Sequence, residues 1–195
     1  MQVNRLSIIM IVLYVAASVY SCGLRDAETP VTSRTTFIPP TSPDLVMVNL
    51  QYSVIEKDIN NYMQCFVDTN YSPRRYTYVP DVGSQIQYPI FQFWKIANEK
   101  TYYTSLMSLT NINSTSNLFF SNTTLNSFAD TAFFDADYLL RVDHQKTNVA
   151  KNLKGKIRLI LSADSRNLWS IHRWIDIKSD NADTTWSVLR ANFSN

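Results

Sequence analysis

Two cysteines, two histidines and an aromatic-rich C-terminal stretch are where chemistry would have to reside in this chain. His144 and His172 fall on separate expected strands, with no Cys or second His at ligand spacing, so neither a metal site nor a cofactor is expected. There is no Gly-x-Ser-x-Gly, phosphate loop or dinucleotide fingerprint, and the 3 glycines could not build one. Cys65 sits in Tyr62-Met63-Gln64-Cys65-Phe66, a helical context where a thiol packs as a small inert hydrophobe. Arg173 lies inside Trp169-Ser170-Ile171-His172-Arg173-Trp174-Ile175-Asp176-Ile177. Strand alternation puts it on the side of Trp169, Ile171 and Ile175, where a guanidinium stacks on rings or pairs with a buried acid.

Cys22 has a different chemistry. Arg5 precedes an apolar run, Leu6 to Ala17, that is long enough for a signal-peptide core and short for a membrane span. The run ends at Val19-Tyr20-Ser21-Cys22-Gly23, which resembles a bacterial lipobox: aliphatic at −3, small at −1, then the Cys that carries the lipid thioether. Residues 1–21 are therefore expected to be a lipoprotein signal peptide, with Cys22 as the lipid attachment site. Residues 22–42 hold three prolines among many Ser and Thr with no apolar period, as expected of an extended tether. Residues 43–195 are expected to form one domain.

The formal charge is +2, and loss of Arg5 with the signal leaves +1, with Lys and Arg spread singly. A nucleic-acid partner is therefore not expected. A 45% hydrophobic and 13% aromatic chain has enough large side chains to pack helices on a sheet.

The elements that must position these residues follow from periodicity. Ser42-Pro43-Asp44 opens a helix whose apolar stripe runs Leu45, Val48, Tyr52, Ile55, Ile59, Tyr62, Phe66, with a break near Lys57-Asp58. Arg75 to Val79 reads as a strand stopped by Pro80, with a turn around Asp81–Ser84. A helical period returns after Pro89 through Ile90, Phe93, Ile96, Tyr103 and Leu106. Strands follow at Leu118–Phe120, Phe133–Val142, Gly155–Leu161 and Leu168–Ile177. Helices followed by a meander give an α+β layer arrangement.

Several pieces together resemble the nuclear transport factor 2-like (SnoaL-like, cystatin-like) superfamily, in particular its small lipoproteins. They are Asn61 to Phe66 closing the helix pair, Val79-Pro80-Asp81, a third helix with Trp94 and Glu99, and the closing strand followed by Thr185-Trp186-Ser187-Val188-Leu189-Arg190. The resemblance spans about residues 43–193. It implies a curved antiparallel sheet wrapped around about three N-terminal helices, leaving a cone-shaped pocket. Tyr62, Trp94, Trp169 and Arg173 are the expected pocket residues. Acid/base chemistry of the isomerase and dehydratase kind would fall to Tyr62, Asp81, His144 or His172, none of which matches a catalytic motif of the superfamily. The expectation is thus a lipid-anchored bacterial envelope protein, sorted to the outer membrane since Gly23 is not a retention Asp. Its domain is expected to be non-catalytic, binding a small apolar ligand or an envelope protein. The alternatives are an isomerase or dehydratase using the cone, or a structural homodimer through the open sheet face.

Overall fold

The structure, a computed structural model, describes residues 36–194. Cys22, the expected signal peptide and most of the expected tether lie outside these residues.

Helix α1 (Pro43–Glu56) starts on proline with Ser42 extended at its N-cap, and ends where Lys57 turns left-handed (φ 57°). Asp58 then caps α2 (Ile59–Gln64), accepting the Asn60 and Asn61 amides at 2.8 and 2.9 Å. The break expected near Lys57-Asp58 is therefore a capped corner. The expected stripe is displaced over α1. Val46, Met47, Leu50 and Val54 face the core, while Tyr52 and Ile55 are exposed. The buried face also carries Asn49 and Ser53. Asn49 holds both the amide and the carbonyl of Ile38 at 2.9 and 2.7 Å, so a period counted on apolar residues alone misses this face.

Strand β1 (Thr77–Val79) leads to a short helix, α3 (Val82–Gln87), where only a turn was expected. A 3₁₀ turn (Pro89–Phe93) and helix α4 (Ile96–Ser108) divide the single helix read after Pro89. Four long strands follow: β2 (Asn117–Ser127), β3 (Thr131–Arg141), β4 (Asn152–Ala163) and β5 (Trp169–Ile177). The chain closes on a helix the periodicity did not reveal, α5 (Trp186–Asn192).

The sheet order is β1-β5-β4-β3-β2. The meander β2–β5 is antiparallel, as expected, and β1 adds in parallel to β5. Gly155 on β4 is directly opposite Tyr138 on β3, and a Cβ there would meet the Tyr138 hydroxyl at 2.9 Å. Glycine lets the Tyr138 ring cross β4 toward β5.

Strict alternation fails on β5. Ile160 pairs with Arg173 but the next residue, Leu161, pairs with Ile171, so His172 is an extra residue in a β-bulge. The bulge inverts the second half of the strand. Trp169 and Ile171 face inward, and so do Trp174 (0% exposed) and Asp176, while Ile175 turns outward. Arg173 is exposed on the outer face, which removes it from the pocket assigned to it from alternation.

The segment before α1 is not free of the domain. The Pro40 carbonyl accepts the Trp169 amide at 2.7 Å, and Pro40 is buried.

Candidate functional site

Helix α5 sets the character of the cone. It lies against α4 and β4 and carries Trp186, Ser187 and Arg190 into the interior, all fully buried. Arg190 meets Glu99, also 0% exposed. Its Nη2 donates to Glu99 Oε1 at 2.7 Å, and its Nε donates to the two carboxylate oxygens at 2.9 and 3.2 Å. Three neutral donors complete the shell: the Tyr62 hydroxyl (2.6 Å), the Tyr76 hydroxyl (3.0 Å) and Trp94 Nε1 (2.9 Å).

Helix ends favour this arrangement. Glu99 is in the first turn of α4 and Arg190 in the last turn of α5, where the macrodipole welcomes an anion and a cation respectively. Burial disfavours the Arg190 charge, but Glu99 together with Tyr78, Tyr62 and Tyr76 outweighs it and keeps the guanidinium protonated. Rings close the cage: the guanidinium lies 4.3 Å from the Trp174 centroid, 4.4 Å from Tyr78, 5.0 Å from Trp186 and 5.4 Å from Tyr102. Burial, followed by the Glu99 charge, pushes the Tyr62 hydroxyl well above its ordinary pKa, so it serves as a donor and not as a base.

Two further carboxylates hold α5 in place. Asp176 accepts the Ser187 amide (2.7 Å), the Ser187 hydroxyl (2.5 Å) and the Tyr138 hydroxyl (2.9 Å). Burial raises its pKa despite these donors. Asp81 caps α3 through the Ser84 amide (3.0 Å) and accepts the Thr185 hydroxyl at 2.6 Å. Burial works against the Asp81 charge, but the Ser84 and Thr185 bonds win and its pKa is lowered. The Trp186 amide donates to Tyr138 Oη and its indole to Tyr102 Oη, both at 2.7 Å.

The cone is therefore occupied by the chain's own side chains. The open space lies beside it, in a cleft of about 1340 Å³ between α2, the approach to β1, the turn before α4 and the start of β5. Tyr76 and Trp94 face this cleft while bonding Glu99 behind them, so the ion pair underlies its floor.

The expected site residues separate accordingly. Trp94 and Trp169 line the cleft. Tyr62 is inside the core, stacked on Tyr103 at 3.7 Å, with its hydroxyl on Glu99. Arg173 is on the outer sheet surface. Of the other acid/base candidates, His144 is buried with its ring on Phe193, and Nε2 meets the Ala150 carbonyl at 3.2 Å. His172 is half-buried at the bulge, its pKa pushed down to about 4 by burial and then by the charges of Arg74 and Arg173. These groups do not converge. The arginine that pairs with a buried acid is Arg190, not Arg173. Its signal was the Trp-Ser-x-Leu-Arg run after the last strand, too short to show a helical period.

No family model matches the sequence, and no curated protein matches it. Among solved structures, a nuclear transport factor 2-like superfamily protein from Salmonella enterica serovar Typhimurium is similar, at TM-score 0.52 and 12% identity over 71% of this chain and 89% of that one. A candidate dehydratase of the same family from Streptomyces avermitilis gives 0.53 at 9% identity, over 70% and 93%. A candidate scytalone dehydratase from Novosphingobium aromaticivorans gives 0.52 at 12%, over 68% and 78%. At such identities the likeness is one of architecture. A curved, mainly antiparallel sheet wrapped around a helical layer is the nuclear transport factor 2-like fold, and this chain has it.

Proposed function

We propose that this chain is a lipid-anchored envelope protein whose domain binds a guest in the open cleft and performs no chemistry in the cone. The observation that carries the reading is the Glu99–Arg190 pair at 0% exposure of both side chains. General acid/base catalysis needs a titratable group within hydrogen-bonding reach of a substrate. Glu99, Asp176 and Asp81 are each committed to donors of the protein itself, and α5 packs Trp186, Ser187 and Arg190 into the interior beside them. The cleft, by contrast, is open, aromatic and large enough for a ligand. The lipobox-like Val19 to Cys22 supports the anchor, and Gly23 supports the outer membrane as its destination.

A homodimer is a second reading, favoured by Phe119, Leu139 and Ile177, which stand exposed on the outer sheet face. Native mass spectrometry of the protein purified from its host tests both. A small molecule retained by the monomer supports the cleft reading. An empty protein that turns over a hydroxylated carbonyl substrate would replace it with the dehydratase-type alternative.

A further inference from the structure

We propose that the cleft takes a single-chain anionic amphiphile, its alkyl body on the aromatic floor and its carboxylate or phosphate head held by Arg75, Lys95 and Lys100. This rests on the reading of the cleft as a binding site. Charge complementarity is the first argument. Six charged residues line the cleft: Arg75, Lys95, Lys100, Arg166, Asp68 and Asp164. Arg166 is committed to Asp164 at 2.6 Å and lies 3.6 Å over the Tyr71 ring. Asp68 accepts the Asn70 amide at 2.9 Å. Arg75, Lys95 and Lys100 make no ion pair among the described residues. Three uncommitted cations thus face one acid across an apolar floor.

The floor supplies the second argument. Phe66, Tyr76, Trp94 and Trp169 are nearly buried and present faces to the cleft, whereas Phe93 at its edge is 76% exposed. An aromatic ring left so open beside lysines is suited to lie along an alkyl chain whose head meets those lysines. The volume, about 1340 Å³, exceeds the roughly 300–1,000 Å³ of sites for compact ligands and suits an extended guest.

The segment before α1 runs along the cleft. Phe37 and Pro40 form part of the cleft wall. Phe37 is 15 residues after Cys22, so the reach between them is at most about 50 Å. A lipid on Cys22, as proposed above, would tether the cleft to a leaflet that holds amphiphiles.

The test uses the full chain in phosphatidylcholine nanodiscs, photolysed with a diazirine-bearing palmitate, and cross-links mapped by peptide mass spectrometry. Labelling is expected on the cleft segments around Met63–Thr69 and Gln92–Ile96. Palmitate and hexadecyl phosphate should compete, the stronger of the two identifying the head group, whereas neutral hexadecanol should not. The exposed triple change Arg75→Gln, Lys95→Gln, Lys100→Gln should cut labelling at least about tenfold, the scale of losing charge-assisted bonds. Phe93→Asp should cut it comparably without touching the core. Equal competition by hexadecanol, with full labelling of the triple variant, overturns head-group recognition and leaves the cleft as a site for apolar guests. Labels confined to the outer sheet face overturn the proposal in favour of docking on the bilayer. Absence of label from a cleft that carries another molecule by native mass spectrometry overturns this inference alone. Absence of any bound molecule overturns the binding reading with it.

Discussion

Replacing Arg190 with Met would leave the Glu99 carboxylate at 0% exposure with only the neutral donors Tyr62, Tyr76 and Trp94. Taking one partner from a buried pair costs about 3–5 kcal/mol, because the remaining charge has neither water nor counter-charge. Three hydrogen bonds soften that loss but do not remove it. Glu99→Gln strands the cation instead. The guanidinium keeps four rings within 5.4 Å, and a desolvated cation–π contact is worth about 2 kcal/mol, so this variant should sit at the lower end of the range. The double variant, Glu99→Gln with Arg190→Met, has no stranded charge and should lose less than Arg190→Met alone. Urea unfolding with unchanged m-values reads these differences as shifts in midpoint. For a domain of about 5–15 kcal/mol each single change is severe. Losses below about 1 kcal/mol for both singles, adding without coupling in the double, would mean the pair is solvated and the cone is not closed.

Other consequences are open to simpler assays. Trp174→Ala should cost about 3–5 kcal/mol in urea unfolding, since that ring is fully buried against Trp186, and Ile175→Ala much less, since the bulge turns it outward. The folded His172 pKa, about 4, lies below its ordinary 6.5, so the unfolded chain binds the proton first. Stability should fall as pH drops from 6.5 to 4, and His172→Gln should flatten that slope in melts taken across the window. Deleting residues 24–34 should leave unfolding unchanged within about 0.5 kcal/mol. Extending the deletion through Pro40 removes the bonds to Asn49 and Trp169 and should cost about 1–3 kcal/mol. Cys22→Ser should move the protein from the membrane to the soluble fraction, and retention with residues 1–21 uncleaved would contradict the anchor.

The α+β order and the four-strand meander were legible because long β-rich runs and proline punctuation carry them locally. The sheet's inner face was not, because a single unpaired residue, His172, exchanges the roles of Trp174 and Ile175, and nothing local marks a bulge there. The face of α1 was misplaced for a related reason: Asn49 is buried by bonds to Ile38 that only the fold supplies, and the Ser53 hydroxyl is satisfied within the helix by the Leu50 carbonyl, so both polar residues join the buried face. Trp94 and Trp169, expected in the cone pocket through the family resemblance, line the cleft beside it instead. The Glu99–Arg190 pair joins residues 91 apart, and both had drawn notice only through the family resemblance. Their pairing depends on a seven-residue helix folding back into the cone, an event set by tertiary contacts and invisible to a periodicity argument.

A closed cone requires α5 to be a permanent part of the core and not a lid over a working pocket. Native-state hydrogen exchange of the amides from Trp186 to Asn192 measures this directly, because a lid exchanges through local opening and a core element only through global unfolding. The Trp186 and Ser187 amides are bonded to Tyr138 and Asp176. They should be as protected as the central strand β4, with the same dependence on denaturant. Exchange orders of magnitude faster than β4, insensitive to denaturant, would show that α5 opens and that the cone is accessible to substrates.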